Sequence, residues 1–229
     1  MKFIRAFFAF LALPAVLACG YVLLKNFLFF AGSSGKEYIP FWLGALCYVV
    51  FQIAFYKPMR AYVFGHELTH AFAGILSGAK IKKFKAGKNS GSVVLTKDNV
   101  WITLAPYFFP LYTFAVIVVY LMLGWFVNIK PLYPYFLFLI GFTVAFHIAL
   151  TVYIIGIGQP DLKVYGVFFS YVLIIFVNIL VFSLLMVMAF PKAAVASEMF
   201  LGFFNASFEA YKFIFSGVHL IWQAFQKTS

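Results

Sequence analysis

Residues His66-Glu67-Leu68-Thr69-His70 place two imidazoles and a carboxylate in an apolar run, 61–78, that holds no other charged side chain. On an α-helix, positions four apart share a face, so His66 and His70 can both turn a ring nitrogen toward one metal ion. Glu67 lies beside that face, where a carboxylate can take a proton from water activated by the metal. In a membrane segment each charged side chain costs roughly 3 kcal/mol unless it is compensated. A zinc ion, Zn2+, would provide that compensation.

Zinc requires a third protein donor, and the chain has six acids: Glu37, Glu67, Asp98, Asp161, Glu198 and Glu209. Asp161 is the best placed. It follows Gly158-Gln159-Pro160, which breaks the helical pattern between two apolar runs and lets the backbone turn a carboxylate inward. Its alternative role is an N-cap of the next helix, where aspartate is favoured. His147, deep in an apolar run, is the rival ligand. Its first reading is a substrate-contacting or ligand-supporting residue. His219 in the tail carries no such expectation.

Composition sets the elements that must hold these residues. The chain has 229 residues and is 65% hydrophobic and only 10% charged, far more apolar than a soluble domain. The expected class is an all-α polytopic membrane protein. Six apolar runs approach the ~20 residues that a bilayer core requires: 6–31, 39–56, 61–78, 100–127, 132–157 and 164–190. Residues 1–191 form the expected membrane domain, and 192–229 an amphipathic tail lying on the surface. Lys2 and Arg5 precede the first run, which reads as an uncleaved helix. Cys19 and Cys47 sit in apolar runs and define neither a disulfide framework nor a metal pair. The net charge of +11 comes from lysines gathered in loops, which suits anionic headgroups of the bilayer. No nucleic-acid module is present. On alternation of six spans the 17 lysines and arginines divide almost evenly between the two sides, so charge does not choose the orientation.

Residues 80–96 do not read as a membrane helix. Ile81, Phe84 and Val93-Val94-Leu95 flank Gly87-Lys88-Asn89-Ser90-Gly91, the pattern of a short β-hairpin after the histidine helix. Its bland role is a basic loop on headgroups. Its functional role is an exposed edge, Ser92-Val93-Val94-Leu95, that holds an extended substrate by strand addition.

These motifs resemble the site-2 protease class of intramembrane zinc metallopeptidases, the M50 family, in its small bacterial form. The resemblance rests on Val63-Phe64-Gly65-His66-Glu67-Leu68-Thr69-His70-Ala71, Ser90-Gly91-Ser92-Val93 and Leu104-Ala105-Pro106-Tyr107-Phe108-Phe109-Pro110. Phe146-His147, Thr151, Gln159-Pro160-Asp161-Leu162 and Phe169-Ser170 follow in order, so it covers about 55–180. It implies zinc ligation by His66, His70 and Asp161, water activation by Glu67, and substrate positioning by Gln159 in place of the usual asparagine. It also implies a bacterial inner-membrane location, membrane protein or peptide substrates, and a cytoplasmic segment after the histidine helix. The third-ligand motif departs from the family's Leu-Asp-Gly, since Pro160 and Leu162 flank Asp161.

Two other classes fit the same residues. Ionisable groups within a membrane also mark the pathways of transporters and channels, and a zinc-binding scaffold needs no proteolysis. Gly74 and Gly78 share a spacing used in helix dimers, but close packing within one bundle explains it equally. The sequence leaves oligomeric state and substrate identity open.

Overall fold

The structure is a computed structural model. It describes residues 1–33, 35–55, 57–88, 90–190 and 196–228. Asn89 of the expected hairpin turn and the expected boundary at 191/192 lie outside the described residues. Helices dominate: α1 (Lys2–Ser33), α2 (Ile39–Phe55), α3 (Met59–Leu76), α4 (Val100–Leu104), α5 (Leu111–Leu123), α6 (Tyr133–Ile157), α7 (Pro160–Val164), α8 (Val167–Ala189) and α9 (Ala196–Thr228). Between α3 and α4, β1 (Ile81–Ala86) and β2 (Gly91–Leu95) pair antiparallel.

Four helices are long and apolar enough to cross a membrane, or five if the bent pair of α4 and α5 counts as one span. Two differences from the six expected runs have physical causes. Helix α3 is not in that set, because Arg60, His66, Glu67 and His70 lower its hydropathy. The run expected over 100–127 is broken by 82°. Pro106 and Pro110 bracket the break, and each lacks the amide that an uninterrupted helix would use there.

Contacts group the chain into two compact units, Met1–Ser33 with Gly166–Ser229, and Ser34–Tyr165. In the first unit, Ala9, Val16, Cys19, Val172, Ile179 and Phe203 form a buried cluster among α1, α8 and α9. Helix α9 runs antiparallel to α1. Its Gly202 abuts Val22, Ser207 Oγ lies 3.6 Å from Cys19 Sγ, and Tyr211 Oη donates to the Leu11 carbonyl at 2.7 Å. The tail thus packs lengthwise against an apolar helix.

The second unit holds the histidine helix. Its α2 and α6 approach backbone to backbone: a Cβ on Gly44 would strike the Phe138 carbonyl, and one on Gly141 the Phe41 carbonyl. Tyr48 and Leu137 beside this crossing are fully buried. Small residues permit such close approach, which drives association where lipid removes the hydrophobic incentive. Gly141→Val should therefore abolish a monodisperse folded species on size-exclusion chromatography in detergent. Gly156→Ala, on the same helix with nothing near its Cβ position, should leave the thermal melt within a few degrees of wild type.

Candidate functional site

Helix α3 ends in a left-handed turn at Gly78 (φ +72°), with the Ala79 amide donating to the Gly74 carbonyl at 2.8 Å. This closure satisfies the last carbonyls and sends the chain into β1. Before it, His66 and His70 share one face of α3. Their Nε2 atoms lie 3.2 Å apart. His70 Nδ1 donates to the Ile102 carbonyl at 2.7 Å, which leaves the lone pair of a neutral ring on Nε2, facing His66. Tyr62 Oη lies 3.3 Å from His66 Nδ1.

The 82° break between α4 and α5 supplies the next layer. Asn99 caps α4 by accepting from the Ile102 amide at 2.9 Å, so the short helix presents the Ile102 carbonyl to His70. One turn on, fully buried Tyr107 donates its hydroxyl to Asp161 Oδ2 at 2.9 Å.

Asp161 reaches the histidines because Gly158 (φ +78°) ends α6 and Pro160 opens α7. A side chain at Gly158 would strain that conformation. Asp161 therefore lies in the first turn of α7 and does not cap the following long helix. Its Oδ2 is 3.6 Å from both His66 Nε2 and His70 Nε2. Burial alone would raise the Asp161 carboxyl, but the adjacent His66 and His70 rings and the hydrogen bond from Tyr107 outweigh it and hold the group well below the usual carboxylate range.

The three donor atoms lie within 4.8 Å of one another. Around a tetrahedral zinc with bonds of about 2.0–2.2 Å, ligand atoms are separated by about 3.3–3.6 Å. The observed 3.2, 3.6 and 3.6 Å fit that spacing. The donor set also fits in kind, with two imidazole nitrogens, one carboxylate oxygen, and outer nitrogens and oxygens held by a carbonyl and a phenol.

Glu67 is 8% exposed and adjoins β2. The Val93 backbone amide lies within reach of its carboxylate. Two cavities flank it. One, of about 520 Å³, runs by Lys57, Val63, Tyr153 and Ile157; the other, of about 420 Å³, runs by Val93, Leu95, Lys97 and Asp161. Both are lined by His66, Glu67, Gly91 and Gln159. Gln159 therefore sits where the two cavities adjoin.

His147 stands apart from the cluster. It is buried in α6 beside a small cavity shared with His66, Thr69, Tyr112 and Thr143. Its Nε2 and the Thr151 Oγ1 have no hydrogen-bond partner among the described residues. Of the hairpin residues, Ser92, Val93 and Leu95 line the second cavity, while Val94 is exposed and does not. Three participants went unnamed as site residues in the sequence: Tyr107, Gly91 and the Ile102 carbonyl. Only the proline-bracketed segment Ala105 to Pro110 offered a signal for the first.

Compared with protein-family models, curated proteins and solved structures, the chain matches none.

Proposed function

We propose that this chain is an intramembrane zinc metallopeptidase that hydrolyses peptide bonds of membrane-embedded proteins or peptides. One observation carries the reading. His66 Nε2, His70 Nε2 and Asp161 Oδ2 converge within 4.8 Å beside the buried carboxylate of Glu67, in a chain with several helices apolar enough to cross a membrane. His66, His70 and Asp161 would hold the ion, whose contribution when bound is Lewis acidity, lowering the pKa of water from about 15.7 toward ~7 and polarising a carbonyl.

The remaining work falls to the chain itself. Glu67 takes the proton that water loses on one carboxylate oxygen and returns it to the leaving amine nitrogen. Tyr107 and the Ile102 carbonyl orient Asp161 and His70 through the bonds described above. The two cavities receive substrate residues on either side of the scissile bond, with Gln159 at their junction. A substrate helix must unwind there, because its internal hydrogen bonds hide the peptide group. The resemblance to the site-2 protease class supports the same assignment.

Purified protein should carry about one zinc per chain by elemental analysis. Asp161→Ala should lose most of it, whereas His147→Ala should retain it. The reverse pattern would make His147 the third ligand. Tyr107→Phe removes one hydroxyl from the Asp161 carboxylate and should weaken zinc binding about 10- to 100-fold, read by competition with a chromophoric chelator.

Glu67→Gln keeps size and hydrogen bonding but removes the basic oxygen. It should retain zinc and lose cleavage of a membrane-embedded reporter by at least about 100-fold. Turnover near wild type in Glu67→Gln would point to transport or scaffolding instead.

A further inference from the structure

Strand β2 lies against Glu67 more closely than any residue but glycine permits. A Cβ built on Gly91 would overlap Glu67 Cγ and fall 2.8 Å from Oε1 and 2.9 Å from Cδ. Real Cβ atoms do not approach that near, and Gly91 has no left-handed backbone to explain it. The glycine is there for space.

The hydrogen-bond pattern of the sheet supplies a second observation. The Gly87 amide donates to the Ser90 carbonyl at 2.9 Å, and the register continues as Lys85 with Ser92, Phe84 with Val93, and Lys83 with Val94. Antiparallel pairs alternate between bonded and non-bonded. Ser92 and Val94 therefore direct their amides at β1, while the Val93 amide turns away, onto the free edge of a two-stranded sheet. The Glu67 carboxylate lies against that edge beside Gly91, within reach of the Val93 amide. The backbone donor most suited to pairing with an added strand thus already has an acceptor of the chain beside it.

We infer that Gly91 and Val93 are positioning residues for Glu67. The helix carries the carboxylate, but the strand sets where it points: Gly91 leaves the room and the Val93 amide fixes the oxygen. An extended chain pairing along β2 would compete with Glu67 for one donor, so substrate capture and release of the carboxylate toward His66, His70 and Asp161 are coupled. The inference deepens the peptidase reading and rests on it for the role of Glu67, but the contact itself is testable without turnover.

The test is amide hydrogen exchange at single-residue resolution on metal-free, full-length protein in detergent, comparing wild type, Glu67→Ala and Gly91→Ala. Protection of the Val93 amide should fall at least about tenfold in both variants, since each removes or displaces the acceptor, while Ser92 and Val94 keep theirs. A thermal cycle gives an independent reading. Gly91→Ala should lower Tm by roughly 5 °C in wild type and by much less in the Glu67→Ala background, because the clash is with Glu67. Unchanged Val93 protection, or an equal Tm loss in both backgrounds, would overturn the positioning role. If Gly91→Ala does not fold, recovery of folded protein by Glu67→Ala/Gly91→Ala counts for the inference, and failure of the double variant counts against it. Loss of the peptidase reading through an active Glu67→Gln would leave these outcomes untouched.

Discussion

Ionisable groups buried in an apolar helix need partners, and that constraint organises the second unit. Helix α3 carries His66, Glu67 and His70 among apolar side chains, and each must be matched by a donor, an acceptor or a cation. The surrounding elements supply these one by one. A carbonyl meets His70, a phenol and two imidazoles meet Asp161, and a strand amide meets Glu67. What remains unmatched is the point among three electron-rich atoms, which suits the divalent cation we propose.

The partners arrive through interruptions of helical structure. Gly78 ends α3 and starts the sheet, the proline-bracketed break bends α4 from α5, and Gly158 with Pro160 turns α6 into α7. An uninterrupted helix satisfies its own backbone groups and has none to offer. The α4 cap at Asn99 and the bend after Tyr107 are what turn a carbonyl and a hydroxyl toward the ligands. Behind them, α2 and α6 cross glycine to backbone, and α6 also carries the buried His147.

Much of this was legible in the sequence because it depends on local spacing. The i, i+4 histidines, the scarcity of acids and the Gly-Gln-Pro break identify residues that the structure brings together as His66, His70 and Asp161. The two strands follow from alternation around a glycine-rich turn, and they occupy 81–86 and 91–95. What escaped depends on distance in space. Tyr107 reads as one aromatic among many until an 82° bend points it at an aspartate 54 residues on. Gly91 reads as a turn glycine, and only the proximity of Glu67 gives it another reason. The tail reads as amphipathic by its spacing, which says nothing of α1 running alongside it. Helix α3 shows the opposite limit, since the residues that make it a candidate site also lower its hydropathy below that of its neighbours.

The central claim, that α3 and α7 together hold one divalent ion through two histidines and an aspartate, is tested most directly by X-ray absorption at the zinc edge on purified full-length protein. The account predicts a first shell of nitrogen and oxygen only, at about 2.0–2.1 Å, with the outer-shell signature of two imidazoles. Sulfur at about 2.3 Å, a third imidazole, or a six-coordinate aqueous ion would contradict it.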